Sequence, residues 1–85
     1  MSELEQLREQ ISEIDRTIFD AINRRLKLVT QLKRYKDEQG MAFVDPEREE
    51  SMFSYQSRAN QGPLSEEGLR AFYAELLALT KREVS

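Results

Sequence analysis

From Ser2 to Gln39 the chain contains neither proline nor glycine, and the run stops at Gly40. Apolar residues recur through it at helical spacing: Leu4, Leu7, Ile11, Ile14, Ile18, Ala21, Leu28, Leu32 and Tyr35. That period predicts one amphipathic helix, roughly 55 Å long at 1.5 Å per residue and several times the average globular helix. Nothing constrains the fold more, because an 85-residue chain has little left with which to cover so long a rod. Chains of this size already struggle to bury enough surface alone.

Counted in heptads, Leu4, Ile11, Ile18, Arg25 and Leu32 occupy one seam position, and Leu7, Ile14, Ala21, Leu28 and Tyr35 the other. A flanking row holds Arg8, Asp15, Ile22, Val29 and Lys36. Charges among core positions are costly unless something pairs them. Arg25 inside the seam, with Arg8, Asp15 and Lys36 beside it, is therefore the first functional clue.

The first helix is expected over about 2–39, with Ser2 as N-cap, Glu3 and Glu5 favouring the dipole, and Gly40 beyond the C-cap. Asp45-Pro46 is a start signal, aspartate as cap and proline at the first helical position, giving a second helix over about 46–59. Asn60-Gln61-Gly62-Pro63 is a break. Ser65 caps a third helix over about 66–83, whose inner face carries Leu69, Phe72, Tyr73, Leu76, Leu77, Thr80 and Val84. No repeat or domain boundary is visible, so residues 1–85 read as one all-α domain of one long and two shorter helices. The short helices, roughly 20 and 27 Å at the same rise, leave much of the long stripe uncovered. An apolar stripe of that extent is normally an interface. A homodimer with paired long helices is the economical arrangement.

Composition narrows the chemistry. There is no cysteine and no histidine, so there is no thiolate nucleophile, no zinc ribbon and no histidine base or ligand. No metal or cofactor is expected. The net charge of −3 gives no electrostatic reason to expect nucleic acid or an anionic membrane. No apolar run is long enough to span a bilayer and no signal peptide is visible, so a cytoplasmic location is the expectation.

Against that negative balance stand Arg8, Arg25, Lys36 and Arg48. Arg25 and Lys36 share a helix face about 16 Å apart along the axis, whereas Arg8 is about 25 Å from Arg25. Arg8 can therefore reach the others only from a second chain. Arg48 follows the Asp45-Pro46 start, where backbone N–H groups are free. Guanidinium groups bind carboxylates bidentately, so such a pocket favours a small dianion. The alternative is a set of boundary charges that reach water or pair with Asp15, Asp45 or Glu49, with Arg25 setting register. The pattern alone leaves both open.

The segments Leu7-Arg8, Ile14-Asp15, Arg24-Arg25-Leu26-Lys27-Leu28-Val29, Tyr35-Lys36 and Asp45-Pro46-Glu47-Arg48-Glu49 resemble the all-helical, AroQ-class chorismate mutases. Gly62-Pro63-Leu64-Ser65 and the third helix extend the resemblance over nearly the whole chain. It implies an intertwined homodimer with two sites, each completed by the partner's Arg8. It also implies the [3,3] rearrangement of chorismate to prephenate in phenylalanine and tyrosine biosynthesis. Such a reaction rests on holding a compact conformer and stabilising developing charge.

By position, the resemblance implies that Arg25 and the partner's Arg8 grip the two carboxylates. Lys36 would donate to the ether oxygen and a carboxylate, Arg48 would sit at the carboxylate end, and Glu49 with the Asp45 turn would accept from the ring hydroxyl. Asp15 is assigned to supporting the arginines or to a helix–helix ion pair. Thr80 falls where a small hydroxyl residue is usual.

Val84 stands where the family usually has glutamine or glutamate facing the ether oxygen. Loss of a donor there can cost about 10² to 10³ in rate, so the expectation is a weak mutase, or one completed by something outside this chain. The rivals are an isochorismate pyruvate-lyase, a catalytically poor regulatory or docking module of a shikimate-pathway enzyme, and a helical dimer whose only role is association.

Overall fold

The computed structural model describes residues 2–84, and within them the chain forms three α-helices and no strand. Helix α1 spans Glu3–Glu38, α2 Pro46–Ala59 and α3 Glu66–Glu83. Each start is made by the side chain that the sequence offers for it. Ser2 accepts from the Glu5 N–H, Asp45 from Arg48 and Ser65 from Gly68, at 3.1, 3.2 and 3.0 Å. Each satisfies one of the amides that a helix N-terminus leaves without an internal partner.

The end of α1 is equally local. Gly40 takes φ 69°, a left-handed conformation that costs glycine little. The Met41 N–H reaches back to the Lys36 carbonyl at 2.8 Å and the Gly40 N–H to Asp37 at 3.3 Å. This is the paired closure of a Schellman turn, and it folds the 41–45 connector back toward α1.

Helix α3 is the element on which both others pack. The clearest core contact joins α2 to α3: Phe53 is 4% exposed and its ring centroid lies 6.1 Å from that of Tyr73. The Arg70 guanidinium also lies over the Phe53 ring, 4.0 Å from its centroid, while bonding Glu50 at 3.2 Å. Burying such an aromatic side chain is worth about 1.5–3 kcal/mol.

Helix α1 itself buries nothing fully. Its better-covered residues are Ile22, Arg25, Leu26, Val29, Lys33 and Lys36, one face in the C-terminal half. Apart from Arg25, the heptad seam is less well covered. Leu4, Leu7, Ile11, Ile14, Ile18, Leu28, Leu32 and Tyr35 remain 43% to 64% exposed. The molecule is accordingly a rod, 57 × 24 × 18 Å. Helix α3 and the connector cover part of the C-terminal half of α1 and leave most of its apolar seam exposed.

Candidate active site

One cavity of about 190 Å³ lies where all three helices and the connector meet. It is small beside the roughly 300–1,000 Å³ of drug-sized ligand sites, which suits a compact metabolite. Helix α1 contributes Arg25, Val29, Leu32 and Lys36. Their spacing of four, three and four residues puts them on one face, so the two cations stand at the ends of an apolar floor. Phe43, Val44 and Asp45 come from the connector, Arg48, Glu49 and Met52 from α2, and Tyr73, Leu77, Thr80 and Lys81 from α3.

Arg25 is held from α3. Its Nη1 donates to the Thr80 hydroxyl, which in turn donates to the Leu76 carbonyl at 2.7 Å. Thr80 is 5% exposed. Among the described residues no carboxylate pairs with the seam arginine; a neutral hydroxyl orients it.

Lys36 is fixed at the other end. Its Nζ donates to the Phe43 carbonyl at 3.2 Å, and its own carbonyl anchors Met41. Backbone and side chain of one residue thus tie down the connector that leads to the Asp45 cap. An ammonium has three donors, so the bond to Phe43 leaves Lys36 able to contact a ligand as well. Lys33, beside it, lies 5.8 Å from the Phe43 ring centroid.

Asp45 has its Oδ1 engaged with the Arg48 amide, so its first task is to start α2. The cap places the Arg48 and Glu49 side chains at the cavity. Glu49 Oε1 lies 3.7 Å from Lys81 Nζ. The lining holds four cations, Arg25, Lys36, Arg48 and Lys81, against two carboxylates, Asp45 and Glu49. The cavity carries excess positive charge although the chain as a whole is negative.

Three sequence-expected residues lie elsewhere in the single chain. Arg8 is exposed in the first turns of α1 and is not part of the cavity lining. Val84 caps α3 one turn beyond Thr80, with its N–H on the Thr80 carbonyl at 2.9 Å and its residue 6% exposed. It is buried and outside the cavity lining, at the point where the chain leaves helical geometry (φ −114°, ψ 55°). Asp15 is likewise exposed and remote from the cavity.

Lys81 was not singled out from the sequence, where it reads as an ordinary basic residue in the last turn of a helix. The signal that could have found it is spacing: Tyr73, Leu77 and Lys81 follow one another at intervals of four on the face that meets the cavity.

An all-α chain with a long first helix and a cationic cavity between its three helices matches one known family. The model for chorismate mutase type II matches residues 7–84, and the chain belongs to that family. Among solved structures, two forms of chorismate mutase from Thermus thermophilus superpose with TM-scores of 0.90 and 0.92, at 29% and 28% identity. The first match covers 93% of this chain and 99% of that one, the second 95% and 92%.

The curated relatives are longer proteins. The bifunctional chorismate mutase/prephenate dehydratase of Aquifex aeolicus is 32% identical over 82 residues, which is 92% of this chain and 23% of that protein. The T-protein of Enterobacter agglomerans is 37% identical over 54 residues, 64% of this chain and 14% of that protein. The chain therefore spans less than a quarter of either.

Proposed function

We propose that this chain is a chorismate mutase, converting chorismate to prephenate within a homodimer. The observation that carries the proposal is the cavity's excess of cations around an apolar floor, suited to a rigid dicarboxylate with a hydrocarbon ring. Family membership supports the reaction, a [3,3] rearrangement in which one C–O bond breaks as one C–C bond forms. No proton or group leaves the substrate, so the site's work is conformational and electrostatic.

Arg25, oriented by Thr80, binds one carboxylate, and Arg8 of a second copy supplies the grip that one chain lacks. Lys36 faces the ether oxygen, where negative charge grows as the C–O bond lengthens. Arg48 completes the carboxylate end. Glu49, with the Asp45 turn, accepts from the ring hydroxyl. Val84 offers no donor to the ether oxygen, so the enzyme is slow for its class. The exposed seam of α1 is the surface that pairs the two copies. The expected setting is the cytoplasm, where the domain works with another shikimate-pathway enzyme; the fused name of the Aquifex relative supports that pairing.

The test follows chorismate loss by absorbance with product identification. Wild type should yield prephenate, and Lys36→Ala should lose about 10² to 10³ in kcat, the range for removing one donor to a developing oxyanion. Release of pyruvate from isochorismate without prephenate from chorismate would replace this reading with the lyase. No turnover of either substrate would leave a binding module.

A further inference from the structure

Glu49 presents a difficulty for any site that receives a dianion. It lines the cavity, it is partly shielded from water, and an unneutralised carboxylate there repels both the ligand's charges. Arg25 is turned to Thr80 and Lys36 to Phe43. The cation that meets Glu49 is Lys81, 3.7 Å away and reaching across from α3. Its side chain is 48% exposed and that of Glu49 28%, so the pair sits at the cavity mouth, with the carboxylate on the inner side.

We propose that Lys81 is a positioning residue of this site, which neutralises Glu49 and holds its carboxylate toward the ring hydroxyl of the bound dicarboxylate. The inference rests on the mutase reading and adds a residue to it. Two features favour a role beyond surface pairing. The link joins the first turn of α2 to the last turn of α3, the two helix ends that border the cavity. Lys81 also precedes the C-cap by only three residues, where a cation is favoured by the helix dipole as well.

Lys81 acts on a contact present in both ground and transition states. Removing it should therefore raise KM more than it lowers kcat. Lys81→Met in the full chain is expected to raise the KM for chorismate about tenfold and leave kcat within about threefold. Lys81→Arg should restore KM to within about threefold. In a Glu49→Gln background, where no carboxylate needs neutralising, Lys81→Met should change KM by less than about threefold.

The cycle distinguishes the ways of failing. An unchanged KM in Lys81→Met, or an equal rise in the Glu49→Gln background, overturns the positioning role. The second result would mean that Lys81 meets the substrate directly. Circular-dichroism melts of each variant identify a fold effect, and a KM rise that tracks a lowered melting temperature also counts against the proposal. If wild type itself turns over no chorismate, the mutase reading falls first and this inference with it.

Discussion

Thr80→Val is the sharpest single probe of how the site is held. Valine matches threonine in shape but deletes the hydroxyl that accepts from Arg25 and donates to Leu76. A hydrogen bond to a charged group contributes about 1.5–3 kcal/mol. The added methyl, at a position only 5% exposed, returns about 0.8 kcal/mol, and Arg25, only half-buried, recovers part of its bond from water. The net cost to stability is then about 1 kcal/mol, a fall of about 4–8 °C in Tm for a domain of this size. Activity should suffer more, because the freed guanidinium must be re-ordered each time substrate binds. If re-ordering consumes most of one charge-assisted bond, kcat/KM drops about 10- to 100-fold at 1.36 kcal/mol per decade. Steady-state chorismate consumption measures this directly, and Thr80→Ser, which keeps the oxygen, should recover most of the loss. A Thr80→Val enzyme within threefold of wild type, with a normal melt, would show that Arg25 needs no anchor and that the reasoning is wrong.

Other outcomes follow from the same geometry. Ile14→Asp changes a residue 60% exposed in the single chain; if the α1 seam pairs two copies, the mutation should dissociate the dimer in analytical ultracentrifugation and abolish turnover. If the seam is merely solvated, it should stay within about 0.5 kcal/mol of wild type. Phe53→Ala removes the most buried side chain of the α2–α3 core and should cost about 3–5 kcal/mol, read as a large fall in denaturation midpoint. Val84→Gln places an amide at a buried position and should cost about 1–3 kcal/mol. In the folded fraction it should nevertheless raise kcat about tenfold or more, if the ether oxygen lacks a donor in the wild type. A folded Val84→Gln enzyme with unchanged kcat would show that position 84 stays outside the site, where the single chain places it.

The elements were legible because their boundaries are chemical. Ser2, Asp45, Ser65 and Gly40 each act through one or two local bonds that a sequence displays directly. Which face of α1 meets the rest of its own chain was less legible. Heptad counting identifies the apolar seam, but α3 meets only a short stretch of it, where Ile18, Ala21 and Arg25 with flanking Ile22 face Phe72 and Leu76. A helix with one stripe for its own chain and another left exposed has no single moment that separates the two. Lys81 was missed for a related reason. A lysine in the last turn of a helix needs no explanation until coordinates place Glu49 of another helix opposite it.

The anomalies in α1 and the position of the cavity have one cause. Arg25 and Lys36 are poor residues for a helix–helix seam, and each is tolerated where the packing leaves room: Arg25 against a hydroxyl from α3, Lys36 against a carbonyl of the connector. Neither contact cancels its charge. Val29 and Leu32, between them, line the same space with aliphatic surface, so the helices do not close over this stretch as they do around Phe53. A fold that wanted only stability would replace the pair with leucines, since well-packed apolar residues generally serve a core as well or better. Retaining two cations that pair with no carboxylate among the described residues, at the ends of an apolar trough, costs stability, and on the proposed mutase reading a bound dicarboxylate would recover it.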